Sequence, residues 1–315
     1  MNRAFVFPGQ GSQTIGMGRA LAEAFAPARD VFEEVDEALK QKLSRLMWEG
    51  PESDLTLTEN AQPAIMAASY AIIAVLTREC GFDIARHARL VAGHSLGEYT
   101  ALAAAGAFTL SDAARLLKTR GQAMQAAVPV GEGAMSALLG AEIELAEEAA
   151  KEAAAETNGI CVVANDNAPG QVVISGTKAA VERAGEIAKA KGAKRAMMLN
   201  VSAPFHSPLM QPAADKMREA VEAVTIRPPA VPLIANVTAA QTSEPETIRR
   251  LLVEQVTARV RWRQSVLGLR AAGVETTVEA GGAKVLTGMI KRIDKELQTV
   301  TLDTPQDIEA FAKTL

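Results

Sequence analysis

Histidine and cysteine are nearly absent from this 315-residue chain, which has three of the first and two of the second. Cys80 and Cys161 lie far apart and neither has partners at metal-ligand spacing, so no metal site is expected. Both thiols are expected to be buried as small apolar side chains in a reduced, cytoplasmic setting. Excess basic charge is missing too: 33 Lys and Arg stand against 37 Asp and Glu, a net charge of −4. No global field is therefore available to hold nucleic acid. Long apolar runs are also wanting. Ala4–Phe7 is too short for a signal-peptide core, and without a stretch of about 18 uncharged apolar residues no membrane span is expected. There is no repeat, low-complexity tract or long charge run. Nothing demands more than a monomer.

What is present is an ordinary globular composition, 48% hydrophobic and 22% charged, in a chain long enough for a core plus a smaller unit. Strand-like Ala4–Phe7 and Arg89–Ala92 alternate with helical patterns at 18–25, 28–41, 62–79 and from Gly97 to about Ala107. Such alternation predicts a parallel sheet with helices on both faces. Residues 130–200 have another rhythm. A strand at 133–139, a helix at 143–156, strands at 161–164 and 171–175 joined by the turn Asn165–Gly170, a helix capped by Thr177, and a strand at 194–201 follow one another. That is the ferredoxin-like order. After it come a helix near 209–224, a strand at 232–237, a helix at 246–256 and strands at 276–279 and 299–302. The expected fold is α/β: a parallel-sheet, α/β-hydrolase-like core from residues 1–128 and 201–315, interrupted by a smaller ferredoxin-like domain over 129–200.

Gly93-His94-Ser95-Leu96-Gly97 lies between a predicted strand and a predicted helix, the context in which Gly-x-Ser-x-Gly places a serine on a sharp turn. There a helix N-terminus and a free backbone N–H can stabilise an oxyanion. The hydroxyl needs a base, and only three histidines can supply one. His94 precedes the serine and should point away from it, while His87 sits in polar Arg86–Arg89, expected to be an exposed loop. His206 lies in the proline-stiffened Pro204-Phe205-His206-Ser207-Pro208 and is the candidate by elimination. Ser111–Ala127 reads as a helix with Ser111 as N-cap, and Arg120 falls on its apolar face with Leu116, Leu117 and Met124. A guanidinium there is either half of a structural ion pair, a snorkelling side chain, or a fork that grips a substrate carboxylate.

Pro8-Gly9-Gln10-Gly11-Ser12-Gln13 follows the first strand, where a dinucleotide loop would sit. Position 14 is threonine rather than the third glycine, and no Gly-Lys-Ser/Thr follows. A tight turn that places Gln10 beside the serine accounts for it equally well. A serine esterase or thioesterase remains a rival that Gly93–Gly97 alone does not exclude.

Along almost its whole length the chain resembles the malonyl-CoA:acyl carrier protein transacylases of bacterial fatty acid synthesis. The resemblance rests on Phe5–Gln13, Gly93–Glu98, Arg120-Gly121, Asn165–Gly176, Pro204–His206 and Lys284–Gly288. It implies Ser95 as nucleophile, His206 as base, Arg120 on the malonyl carboxylate, and Gln10 with the Leu96 N–H as oxyanion hole. Gln255 matches the residue whose main-chain carbonyl orients the histidine, so no catalytic aspartate is sought. Phe205 and Leu96 match residues that favour malonyl over methylmalonyl units. Alanines at 280 and 283 depart from the family's glycines in a loop that looks structural. Malonyl-CoA, coenzyme A and acyl carrier protein are the implied partners, and no cofactor is implied. Because carrier proteins of this kind are acidic, a basic patch is expected, with Lys191, Lys194 and Arg195 as candidates; an ordinary solvated surface is the other reading.

Overall fold

The computed structural model describes residues 2–201 and 203–315; Met1 and Ser202 lie outside them. Ten strands occur among the described residues: β1 (Arg3–Phe7), β2 (Leu90–Gly93), β3 (Gly133–Leu139), β4 (Cys161–Ala168), β5 (Gln171–Thr177), β6 (Arg195–Met198), β7 (Leu233–Ile234), β8 (Gln241–Thr242), β9 (Thr276–Ala280) and β10 (Gln298–Leu302). They form a six-stranded sheet, β10-β9-β1-β2-β7-β8, and a four-stranded sheet, β4-β5-β3-β6. All pairs of the larger sheet are parallel except β7 with β8. The α/β class and the parallel core follow the sequence pattern.

β1 is central, and its alternation explains the layering. Phe5 and Phe7 pack on the side of the long helix Thr58–Glu79, while Ala4 and Val6 pack against Trp262, Val266, Leu286 and Ile290 on the other. With both faces covered, every residue from Ala4 to Phe7 is fully buried, as a central parallel strand requires. Each buried phenylalanine contributes about 1.5–3 kcal/mol. The smaller sheet is antiparallel throughout, and the helices Ile143–Thr157 and Lys178–Ala190 pack on it.

Several local expectations are corrected. The long helix begins at Thr58, and residues 60–77 carry no charge. It is thus long and apolar enough to cross a membrane, yet 89% of its most apolar window is buried inside the fold. The helix carrying Arg120 runs Leu110–Ala126 and is capped by Thr109, whose hydroxyl accepts from Asp112 N–H; Ser111 instead donates to Glu34. Thr177 precedes its helix without capping it, because its hydroxyl serves Ile160. Cys161 is buried, but Cys80 is only partly so. His87 ends the short helix Ile84–His87 with its ring stacked on Phe82, not in a loop. The helices Trp262–Ala271, Val285–Ile293 and Pro305–Ala312 were not anticipated.

The largest correction concerns Asn165-Asp166-Asn167. Their composition predicts a turn, but β4 runs through them to Ala168 and turns only at Pro169-Gly170. Two register shifts in β4 let this polar tract face the larger unit. Asp166 N–H donates to Val260 O, Asp166 pairs with Arg263 at 3.0 Å, and Asn167 reaches His94.

The helices Thr58–Glu79 and Leu110–Ala126 cross where Gly121 has no side chain. A Cβ there would lie 2.4 Å from Glu59 Cα and 2.7 Å from Glu59 N. Gly121→Ala is therefore expected to lower stability by about 1–3 kcal/mol, read from urea unfolding midpoints.

Candidate active site

Three loops converge at the carboxyl ends of parallel strands, where α/β sheets bind ligands. Gln10 follows β1, Ser95 follows β2, and Asn236 follows β7. The turn after β2 is tight enough to exclude side chains two residues before and two residues after the serine. A Cβ on Gly93 would sit 1.9 Å from the Gly97 carbonyl, and one on Gly97 would sit 2.2 Å from Phe7 O. Ser95 itself takes a left-handed conformation, φ 53°, at a cost of about 1–2 kcal/mol. Asn236 holds it there: its Oδ1 accepts from Ser95 N–H at 2.7 Å, and its Nδ2 donates to Gly93 O at 2.6 Å.

His206 arrives from 111 residues away and is also left-handed, φ 55°. Its Nε2 lies 2.8 Å from Ser95 Oγ, while Nδ1 lies 2.9 Å from Gln255 O and 3.1 Å from Ala258 O. Two carbonyls can only accept, so Nδ1 carries the proton and Nε2 is free to take one from the serine. Burial, with the Arg120 charge adding to it, pushes the imidazole pKa down to about 3.

Arg120 is 2% exposed and reaches the same hydroxyl. One of its terminal nitrogens donates to Ser95 Oγ at 3.1 Å and to Gln255 Oε1 at 2.8 Å; the other donates to Gln62 Oε1 at 2.8 Å. The guanidinium also lies 5.7 Å from the Tyr99 ring centre. No carboxylate is paired with it directly, so the structural ion pair raised above is absent among the described residues. The charge is held by two amides and a ring, and it can still pair with a ligand's anion.

These groups face a cavity of about 310 Å³ lined by Gln10, Ser95, Leu96, Arg120, Phe205 and His206, with Met124, Met135 and Leu199 as apolar wall. Thr58 donates to Gln10 Oε1 at 2.8 Å, which leaves the amide N–H groups of Gln10 as donors. Leu96 N–H, at the head of the helix Gly97–Ala104, has no protein acceptor among the described residues. Gln255 lies behind the cavity wall, fully buried. A larger groove of about 440 Å³ between helices Gln211–Glu222 and Pro245–Glu254 has rims of balanced charge and is lined by no serine, cysteine or histidine. Among the described residues no cluster of three His, Cys, Asp or Glu side chains could hold a metal ion.

His94 is engaged elsewhere, with Nε2 2.8 Å from Asn167 Oδ1 and its ring beside Trp262. Lys191 is not free for a partner: Glu148 and Glu152 hold it at 2.7 and 2.6 Å. Lys194 and Arg195 are exposed. Sequence reasoning missed Asn236, Gln62 and the side-chain role of Gln255. Asn236 could have been found as a polar residue closing an apolar strand on the ligand-binding edge, and Gln62 as a polar residue on an apolar helix.

The profile of the family described as acyl transferase domain matches residues 4–304. A malonyl CoA-acyl carrier protein transacylase from Bacillus subtilis (strain 168) is 46% identical over 312 residues, covering 99% of this chain and 96% of the relative. The crystal structure of an acyl-carrier-protein-S-malonyltransferase from Bartonella henselae is 55% identical with a TM-score of 0.97, covering 100% of this chain and 99% of that one. A malonyl-transacylase solved in complex with its type II PKS acyl-carrier protein is 42% identical with a TM-score of 0.95, each chain covered in full. With a cavity that sets a serine between an imidazole and a guanidinium, and with relatives matched from end to end, the chain belongs to the acyl transferase domain family.

Proposed function

We propose that this chain moves a malonyl group from coenzyme A to the phosphopantetheine thiol of an acyl carrier protein, through a malonyl ester on Ser95. One observation carries the reading: Ser95 Oγ lies 2.8 Å from a neutral imidazole and 3.1 Å from a buried guanidinium. A malonyl thioester has its carboxylate one carbon beyond the reacting carbonyl, so both ends of the acyl group meet their partners in one pose. A general esterase has no use for Arg120. The relative solved with its acyl-carrier protein supports the choice of acceptor.

In this mechanism His206 Nε2 takes the Ser95 proton as Oγ attacks the thioester carbon. Leu96 N–H and the Gln10 amide receive the oxyanion. The C–S bond breaks, and the coenzyme A sulfur leaves with the proton from His206. The carrier-protein thiol then gives its proton to His206, attacks the ester carbon and releases Ser95, which takes that proton back. The Gln255 carbonyl keeps the imidazole in the reactive tautomer, in place of a triad carboxylate. Phe205 crowds C2 of the acyl group and disfavours a methyl branch. Residues 129–200 are read as an inserted ferredoxin-like domain that walls the cavity with Met135 and Leu199, and 1–128 with 201–315 as the catalytic domain. Lys194 and Arg195 remain for the acidic carrier protein. The proposal takes the enzyme to be a cytoplasmic monomer.

Arg120→Ala should cut malonyl kcat/KM by at least about a hundredfold while changing acetyl transfer far less, as loss of a buried charge-assisted pair implies. Equal losses for the two donors would count against the clamp. Malonyl-CoA alone should leave a malonyl adduct on Ser95, detectable by intact-protein mass spectrometry and absent in Ser95→Ala. The imidazole becomes the competent base above its own pKa, which is held near 3 rather than at the ordinary 6.5. Labelling of Ser95 by an uncharged fluorophosphonate should therefore show no histidine limb between pH 5 and 8; a limb centred near 6.5 would contradict the assignment.

A further inference from the structure

We propose that Glu98 is a positioning residue that fixes which way the Gln255 side-chain amide faces, and so holds Arg120 ready for a carboxylate-bearing acyl group. The inference rests on the acyl-transfer reading above and extends it to a residue that does not touch the cavity.

Gln255 is fully buried and bonded to His206, Arg120 and the Ser95 main chain. Its main-chain oxygen accepts from His206 Nδ1. Its side-chain Oε1 accepts from Arg120, and its Nε2 donates to Ser95 O at 3.0 Å and to Glu98 Oε2 at 2.6 Å. An amide has one accepting end and one donating end, so its orientation matters. Turned over, its NH2 would meet a guanidinium that can only donate, and its oxygen would meet a carbonyl and a carboxylate. The bond to Glu98 is the shorter of the two at the donating end, as expected where the acceptor is a carboxylate. Main chain and side chain of Gln255 thus divide the work. The carbonyl serves the base for any acyl group, while the accepting end of the amide serves Arg120, the group that only a negatively charged acyl group uses.

Glu98 is built for this place. It lies three residues after Ser95, in the first turn of Gly97–Ala104, and so turns inward beneath the serine with 1% exposure. The helix N-terminus favours a carboxylate there. Asn236 N–H donates to the same Oε2 at 3.3 Å. Burial pushes the Glu98 pKa up to about 7 against the opposing pull of Gln255, Asn236 and Arg120. A proton on the other oxygen leaves Oε2 free to accept, so the bond does not require the charge. A buried carboxyl is expensive to keep unless its bonds are used, and its shortest one is to the amide that holds Arg120. A purely structural brace, acting through Asn236 on the serine turn, would affect all acyl groups alike.

The test measures acylation of Ser95 in the full chain by malonyl-CoA and by acetyl-CoA, separately. Glu98→Met should lower the malonyl-to-acetyl ratio of kcat/KM about tenfold or more, chiefly through the malonyl KM, the size expected for losing a charge-assisted bond. Glu98→Gln keeps an accepting oxygen and should restore the ratio to within about threefold of wild type. Added to Gln255→Met, Glu98→Met should lower the ratio no further, because the two act through one bond. If Glu98→Met does not fold, Glu98→Asp carries the test: its carboxylate retreats by a methylene and should also lower the ratio. Equal loss for both donors, failure of the glutamine variant to restore the ratio, additive effects, or an unchanged ratio in the methionine or aspartate variant would each overturn the role of Glu98. A wild-type chain that takes neither acyl group would overturn the transfer reading, and this inference with it.

Discussion

A guanidinium buried beside a serine hydroxyl is the constraint from which much of this structure follows. Arg120 cannot lose its proton, and an unpaired charge at 2% exposure is costly unless its N–H groups are satisfied. A carboxylate in direct contact would satisfy them and leave nothing for a ligand. Neutral amides from Gln62 and Gln255 do otherwise: they accept from its two terminal nitrogens without cancelling the charge. The charge therefore remains active inside the cavity, where water screens it least. This also explains why Gly121 has no side chain. The two helices must touch there for Arg120 of one to reach Gln62 of the other.

The same charge acts on the imidazole next to the serine. A cation near His206, added to its burial, keeps the imidazole neutral throughout the physiological range. A carboxylate behind the ring, as in a Ser-His-Asp triad, would pull the opposite way by stabilising the imidazolium. Carbonyls from Gln255 and Ala258 orient the ring with less electrostatic pull. Carbonyls rather than a carboxylate behind the ring, among the described residues, are then consistent with the presence of Arg120. Both Ser95 and His206 are held in left-handed backbone conformations, and the bonds of Asn236 to the serine turn offset the strain on one side.

How much of this was legible in the sequence depended on whether the signal was local. Gly93–Gly97 declared its turn because steric exclusion at two glycines is a property of five residues. Arg120 stood out because helical periodicity alone put it among leucines, and His206 because so few histidines compete. The architecture of the larger sheet was legible from alternation of strand and helix. Asn236 and the Gln255 side chain were not, since their importance lies in bonds across 141 and 160 residues. The helix Trp262–Ala271 was not legible because Gly268, a weak helix former, stands inside it and no side chain caps its start. The tract Asn165–Asn167 was misread for a physical reason. Polar residues favour turns when solvent must satisfy them, but here Val260, Arg263 and His94 do so in place of solvent.

The same polar tract helps the cavity keep its dimensions. Its walls come from both sheets, with Met135 and Leu199 on one side and Gln10 and Arg120 on the other. An apolar contact between the two units would tolerate sliding, because dispersion attraction has little direction. Directional pairs do not. The backbone bonds between Val260 and Ala164 or Asp166, the pair Asp166–Arg263, and the bond His94–Asn167 each fix one relative position. His94 makes the last of these from the position next to Ser95, so a residue of the serine turn is also tied to the smaller sheet. A displacement of the smaller unit would therefore be felt first at the serine turn, and the polar strand that reads as a loop is what holds the acyl cavity to its size.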